Sequence, residues 1–479
     1  MGLISECDEK SFFDISRHKN IIVWGSSIMA KDSIIYFELM DKVIAVVDND
    51  INKQNKKMFV KDKAYNIISP NELKIYDNPD NILLISNKFY LDVISQIENI
   101  KLTMDCYAYP MLRENTNKLF LSTLKDRCTG CSACANVCPT QCIKMQEDKN
   151  GFLKPVIDKS NCIDCGLCRD VCERKNNSSI IDKSQRKVYA MWSKDNELRR
   201  NTTSGGVATI LGENIIKNGG YVCGVKYDEN LMPIHYVTNS LDELSLFRYS
   251  KYVQSYLGNT FKEIEKLLAS NAKVMFIGTP CQVDGLRRYL NKNYENLLTV
   301  TFMCGGNNSR KVYKEYLKML EKQFGSKVVS IHFRKKAQDC SQCGLYTEVI
   351  FENGCSYKAN NNIYMMLFAC KGLIVSESCY DCRYTKENHT ADITLGDFWG
   401  IEKVDKELDV KDGVSVVVCN TEKGLKAINN ISQKVVKKEY SFEDIGKNGD
   451  KNKKYSFRRK DFFDNIEKGL ETFKNMYYN

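Results

Sequence analysis

Eight of the 21 cysteines fall into two copies of one spacing. Cys128, Cys131, Cys134 and Cys138 form the first copy, with Pro139 immediately after; Cys162, Cys165, Cys168 and Cys172 form the second. Each reads C-x2-C-x2-C-x3-C. Three thiolates so spaced wrap one face of an iron–sulfur cubane, and the fourth, carried past a short helical turn, points to the other cubane. The spacing therefore assigns one [4Fe–4S] cluster to Cys128, Cys131, Cys134 and Cys172, and a second to Cys162, Cys165, Cys168 and Cys138. Gly130 and Gly166 suit turns in which backbone N–H groups approach sulfur. The competing reading is zinc or a disulfide scaffold, but zinc sites ordinarily use two C-x2-C pairs, four ligands in all. Cys142 lies outside the pattern and is expected as a buried thiol.

This stretch resembles the bacterial two-cluster ferredoxins over roughly fifty residues. Further cysteines extend the theme. Cys379 and Cys382 make another C-x2-C, and Cys281 and Cys304 each end an expected strand at what should be one sheet edge. Four thiolates converging there would hold a third [4Fe–4S] cluster; zinc or ordinary thiols are the alternative. Cys340 and Cys343 are a rival pair, with zinc binding, redox chemistry or a local loop feature all open. Cys223, Cys355, Cys370 and Cys419 read as core, and Cys7 and Cys106 as plain thiols.

The rest of the composition bounds what such centres serve. The chain has 479 residues, 43% hydrophobic and 27% charged, which suits a globular protein of about three domains. No apolar run approaches the length of a membrane span, and the first residues lack the basic and apolar regions of a signal peptide. With so many thiols and no export signal, a reducing cytoplasmic setting is expected. The formal charge of +10 invites a nucleic-acid partner. Clusters and phosphates carry negative charge that offsets it, so lysine runs such as 451–454 read as solvated faces. Four histidines supply little acid–base catalysis; electron or hydride transfer through a cofactor needs fewer such groups.

The elements that must position these residues follow from pattern. Strands at 21–24, 43–47 and 82–85, a helix from the Gly25 turn to about Met40 and another over 90–100 predict a Rossmann-like parallel sheet in residues 1–112. Gly25 would open a phosphate turn and Asp48 would meet a ribose, although a single glycine of the fingerprint is present; docking or regulation is the plainer use. The ferredoxin-type module occupies 113–180, followed by a polar linker over 174–186. From Val188 strands and helices alternate again: a helix to Lys217, strands at 221–225, 273–277 and 297–302, a helix from Gly285, a basic helix over 312–322 and a last strand over 413–420. The fold class is thus α/β with an inserted α+β dicluster module. A charged tail, 438–479, carries a helix over 462–478.

Several motifs in order, SGGVAT, SKYVQS, GTPCQVDGLRRYL and CYDCRYTKENHTADITLGDFWG, resemble the coenzyme F420 hydrogenase/dehydrogenase beta-subunit family, which includes hydroxymethyl-chlorophyll reductase. The resemblance covers about residues 125–435 and implies FAD beside iron–sulfur clusters in a domain over 185–437. It marks Ser204, Gly205, Gly206, Ser250, Lys251, Tyr252, Gln254, Gly278, Thr279 and Pro280 as flavin-contact positions, and Cys281, Cys304, Cys379 and Cys382 as cluster ligands. Asp392 and Asp397 would bind a metal, tune a redox centre or cap turn amides beneath Trp399. His389 stands where relatives carry arginine. The expectation is an iron–sulfur flavoprotein oxidoreductase that exchanges electrons with ferredoxin or flavodoxin and acts on a small organic or deazaflavin substrate. The alternative is an electron-transfer or adaptor subunit bound to a partner enzyme. A DNA-reading motif is lacking.

Overall fold

The computed structural model describes residues 7–87, 89–112, 127–172, 186–337, 345–370, 372–384, 389–445 and 458–473. The chain divides into two compact units, residues 1–125 with 162–169, and residues 126–161 with 170–479. Cys340 and Cys343, the 451–454 lysines and most of the expected 174–186 linker lie outside the described residues.

Six strands build the sheet of the first unit: β1 (Asn20–Trp24), β2 (Val43–Val47), β3 (Lys57–Val60), β4 (Lys63–Ile68), β5 (Asn81–Ile85) and β6 (Asp105–Ala108). Their order is β3-β4-β2-β1-β5-β6. All neighbours run parallel except β3, which turns back on β4. The central strands are unbroken apolar runs because both faces are covered. Ile22 and Trp24 pack with Ala45, Leu83 and Ile85 on one face; Ile21 and Val23 pack with Val46 and Leu84 on the other. The helix after β1 is shorter than the sequence pattern predicts. It spans Ile28–Tyr36, because Glu38 turns the chain at φ +56 and sends Phe37 and Leu39 into the core.

The second unit opens with an antiparallel hairpin, β7 (Ile143–Glu147) and β8 (Leu153–Ile157). Its main sheet uses β9 (Lys187–Ser193), β10 (Tyr221–Tyr227), β11 (Pro233–Thr238), β12 (Val274–Ile277) and β13 (Leu297–Phe302). A separate antiparallel meander follows, β14 (Val328–Lys336), β15 (Leu345–Phe351) and β16 (Ser356–Ala359). The main sheet is completed by β17 (Ile393–Asp397), β18 (Ser415–Cys419) and β19 (Val435–Tyr440), in the order β11-β10-β12-β13-β17-β18-β9-β19. Its centre, β10-β12-β13-β17, is parallel. The C-terminal ends of β12, β13 and β17 therefore meet at one edge, where an open α/β sheet presents its ligand-binding turns.

Three differences from the sequence reading matter for that edge. The helix expected from Gly285 begins at Pro280. Proline suits the first helical position, and Thr279 and Gln282 cap the end reciprocally, Thr279 N donating to Gln282 Oε1 at 3.0 Å. Cys281 thus sits in the first helical turn. The strand over 413–420 is β18 and is not the last, since β19 pairs with β9 beyond it. The expected tail helix shrinks to Arg459–Asn465 followed by two short 3-10 turns ending at Phe473. Its Phe462, Phe463, Ile466, Leu470 and Phe473 enter the core of Tyr313, Phe333 and Phe351, so this charged segment is built into the second unit.

Candidate redox site

The first thiolate set is held by tight turns. Gly130 takes φ +71 and Ser132 φ +64, folding the chain around Cys131, and Gly130 N donates to Cys128 Sγ at 3.4 Å. A Cβ at Gly130 would run into the Gln254 amide and lie 2.7 Å from Leu153 O, so the turn requires glycine. Cys131 packs on the helix Pro280–Leu290 at Gly285, where a Cβ would sit 3.1 Å from its Sγ. Cys138 is buried, its Sγ 3.4 Å from that of Cys142. Cys134 and Cys172 are half-buried in the same unit. Cys162, Cys165 and Cys168 belong to the first unit, the first two exposed, and the neighbouring Arg169 is buried in an ion pair with Glu9.

A second gathering of sulfur lies at the edge made by β12 and β13. The 373–379 segment runs beside the loop after β13: Ser309 N donates to Ile374 O at 2.8 Å, and Ser376 N to Asn307 O at 2.8 Å. That pairing brings Cys379 to the Cys304 loop. Gly306 N donates to Cys304 Sγ at 3.4 Å and Asn307 N to Cys379 Sγ at 3.3 Å. Asn307 Nδ2 reaches Cys281 Sγ at 3.9 Å and Thr129 O, in the first thiolate loop, at 3.5 Å. Three of the four expected ligands thus surround one short loop; Cys382 follows three residues after Cys379, half-buried.

Backbone amides aimed at cysteine sulfur suit thiolates that carry charge, as cluster ligands do. Among the described residues, no three His, Cys, Asp or Glu side chains converge as ligands of one metal ion. A cubane's thiolates each take a separate iron corner and stand further apart than ligands of a single ion. The residues present fit such a group.

The expected flavin-contact positions fall into two groups. Ser204, Gly205, Gly206, Ser250, Lys251 and Tyr252 come together around the end of β14. Ser250 Oγ lies 3.4 Å from Thr203 Oγ1, and Ser250 bridges to Phe333. Lys336 Nζ donates to the carbonyls of Arg199, Ser204 and Asp412 at 2.6–2.7 Å; burial lowers its amine to about 8. Gly205 N donates to Ser415 Oγ at 2.9 Å, and Gly206, at φ +83, starts the helix Val207–Lys217. Lys251 Nζ donates to Arg248 O at 2.9 Å, and burial pushes its amine down to about 7. Tyr252 is fixed by its carbonyl, which accepts from Asn308 Nδ2 at 2.9 Å and from the Tyr364 hydroxyl.

The other group faces the thiolates. Gln254 Oε1 accepts from Leu153 N at 2.8 Å, and its Nε2 donates to Thr129 O at 3.3 Å. Thr279 Oγ1 lies 3.2 Å from Cys281 Sγ. Gly278 packs against the Phe276 ring, and Pro280 begins the helix.

The two aspartates of the DITLGDFWG stretch stand at opposite ends of β17. Asp392 accepts from Thr299 N at 2.8 Å and Thr421 Oγ1 at 2.8 Å, and pairs with Arg287 at 3.3 Å, stitching β13 to β17. Asp397 instead pairs with Arg334 at 2.7 Å. Arg334, Lys336 and Asn307 are absent from the sequence-based set. The available signals were a basic strand end, FRKK, and two asparagines after a Cys-Gly-Gly turn.

In the first unit, Asp48 is already engaged: Ser26 N donates to it at 3.2 Å, the Ser26 hydroxyl bonds it, and Lys53 pairs with it at 3.4 Å. A Cβ at Gly25 would lie 2.6 Å from Ser86 O. The glycine is thus explained by close approach of β1 to the turn after β5.

Residues 127–176 match the 4Fe-4S dicluster domain, which contains all eight ferredoxin-pattern cysteines. Residues 271–444 match the family described as the C terminus of the coenzyme F420 hydrogenase/dehydrogenase beta subunit. The coenzyme F420-dependent sulfite reductase of Methanocaldococcus jannaschii is 29% identical over 168 residues, 34% of this chain and 25% of that protein. The chain therefore spans a quarter of that relative. In Methanothermobacter thermautotrophicus, one subunit of the H(2):CoB-CoM heterodisulfide,ferredoxin reductase is 36% identical over 63 residues, 10% of each. A solved structure of the F420-reducing [NiFe] hydrogenase complex from Methanosarcina barkeri aligns at 18% identity and TM-score 0.37, over 52% of this chain and 81% of that one; at that score it carries no further weight. With a dicluster domain ahead of a matched segment that carries Cys281, Cys304, Cys379 and Cys382, the chain belongs to the coenzyme F420 hydrogenase/dehydrogenase beta-subunit family.

Proposed function

We propose that this chain is an iron–sulfur flavoprotein oxidoreductase. The observation that carries the reading is the loop Cys304–Asn307: its amides bond Cys304 and Cys379, and the Asn307 side chain spans Cys281 and the Cys128–Cys131 turn. Two thiolate sets share one set of hydrogen bonds there, the arrangement needed to pass electrons from one centre to the next. In this reading a Rossmann-like domain over 1–112 precedes the dicluster domain over 113–180, the flavin-binding domain over 185–437 and the tail over 438–479. Ferredoxin or flavodoxin exchanges electrons with the dicluster domain. FAD would be held by Ser204–Gly206, Ser250–Tyr252 and Gly278–Pro280, and when bound converts single-electron transfers into a two-electron step. Buried Tyr252 and Lys251 contacts keep water from that end of the sheet. The substrate class is a small organic molecule or a deazaflavin, the latter suggested by relatives whose names carry coenzyme F420. The engaged Asp48 favours docking or regulation over nucleotide binding for the first unit.

Anaerobic purification, reconstitution with iron, sulfide and FAD, and counting of iron and flavin test the proposal. A chain that fills its clusters and takes up no flavin rejects it. A second reading, an electron-transfer subunit without a substrate site, draws on the relative named as part of a reductase complex. Turnover of a small acceptor by the pure chain with reduced ferredoxin excludes that reading.

A further inference from the structure

Arg334 holds a backbone conformation that its residue type disfavours. It lies in β14 at φ +58, inside an irregularity of the β14–β15 register between His332 and Lys335. A non-glycine residue in the left-handed region persists only where its surroundings over-determine it, and such positions cluster at functional sites. The bulge re-aims the side chain. Nη1 is bound twice, to Asp397 Oδ2 at 2.7 Å and to the Tyr252 hydroxyl at 3.3 Å, and the guanidinium lies 5.6 Å from the Trp399 ring centre. Nη2 is sealed from solvent and has no hydrogen-bond partner among the described residues. A buried N–H of a permanently charged group, left without an acceptor, is costly unless a ligand completes it.

We infer that Arg334 is a ligand-contact residue whose Nη2 takes an acceptor edge bearing negative charge, specifically the N1–C2 carbonyl edge of an isoalloxazine ring. The inference rests on the flavoprotein reading above. The same strand end meets the Ser204 loop through Lys336 and the Ser250 loop through Phe333, so Arg334 stands where the three loops join. Two electrons and one proton taken up by an isoalloxazine leave a negative charge along that edge. A fixed cation there binds the reduced form more tightly than the oxidised form and raises the reduction potential. Asp397 and Tyr252 act as positioning residues: they fix Nη1 and so point Nη2.

The test uses the full chain with its clusters reconstituted, FAD as the probe, and Arg334→Met, Arg334→Lys and Arg334→Gly variants. The readouts are FAD dissociation constant, potential of the bound flavin and thermal melting. Arg334→Met is expected to weaken FAD at least tenfold and to lower the flavin potential, with Arg334→Lys partly restoring the potential. Glycine accommodates φ +58 without strain, so Arg334→Gly should melt no lower than wild type while showing the same loss of FAD; this separates contact from folding. Uptake of FAD by wild type with an unchanged dissociation constant and potential in Arg334→Met overturns the contact alone. A wild-type chain that fills its clusters yet takes no FAD overturns the flavoprotein reading, and the contact with it.

Discussion

Arg459 belongs to a segment the sequence pattern left unread, and its removal should loosen the loop that carries Cys379. Its side chain is 1% exposed. Nε donates to Glu377 Oε1 at 3.0 Å and Nη1 to the Leu373 carbonyl. The guanidinium lies 4.6 Å from the Phe463 ring centre and 5.5 Å from those of Phe152 and Tyr380. Methionine would keep most of the stem and remove the charge. Leaving the Leu373 carbonyl short of a donor costs about 1.5 kcal/mol. Glu377 is 35% exposed and keeps much of its hydration, so that pair contributes only about 0.5 kcal/mol. The aromatic contacts add about 1 kcal/mol. The sum, about 3 kcal/mol, is roughly two decades in a local opening equilibrium. Hydrogen exchange read by mass spectrometry on Arg459→Met should therefore show peptides over 459–473 and 373–380 exchanging about a hundredfold faster, while β12 and β13 keep their protection. Exchange in both segments within about threefold of wild type would refute the reasoning.

Two further perturbations probe other parts of the second unit. Gly130→Ala forces a Cβ into the Gln254 amide at a left-handed position and removes the fit of the Cys128–Cys131 turn; the reconstituted protein should lose about four iron atoms by direct analysis. His235 is buried, stacks on Phe276 at 5.5 Å between ring centres, and has its imidazole pushed down to about 3 by burial. The unfolded chain binds a proton near pH 6.5 that the native ring refuses, so stability is full above about pH 6.5 and falls as pH drops toward 3. The slope contributed is about 1.4 kcal/mol per pH unit. Denaturant melts of His235→Phe at pH 5 and pH 7 should lie closer together than those of wild type.

The chemistry was more legible than the scaffold. The eight ferredoxin-pattern cysteines announce themselves because iron dictates their spacing along the chain. Cys281 and Cys304 could be placed at one sheet edge because two apolar runs ended just before them, and β12 and β13 do pair in parallel. β1, β2, β5 and β13 follow directly from apolar runs of strand length. Arg334 was hidden for the opposite reason. A bulge and a positive φ set its direction, and neither leaves a periodic trace in FRKK. The capped start at Pro280 was missed although Thr279, Pro280 and Gln282 spell it, because the glycine-rich turn was extended too far. The tail's core residues were hidden by the lysines and glutamates between them, and its packing is set by Tyr313 and Phe333, far away in sequence.

Asn307 is where the case for linked centres is most exposed. Its Nδ2 lies between Thr129 O and Cys281 Sγ, and the residue is 8% exposed. Thr129 O keeps a second donor, Gln254 Nε2, at 3.3 Å, whereas Cys281 Sγ is met by Asn307 and by the Thr279 hydroxyl of its own turn. Asn307→Asp preserves shape and replaces the donor with a carboxylate oxygen, setting negative charge against a thiolate and a carbonyl in a site that offers little water. Burial of an unpaired charge is among the most costly single changes a core can suffer. The damage should be unequal: the Cys281, Cys304, Cys379 set should fail to hold iron, or should hold it at a more negative potential, while the Cys128 loop, still served by Gln254, keeps its own. Iron analysis and redox titration of Asn307→Asp beside Gly130→Ala make the comparison, each variant removing a different fraction of the iron. If Asn307→Asp loses nothing and titrates as wild type does, the hydrogen bonds that join the two sulfur sets are incidental to iron binding.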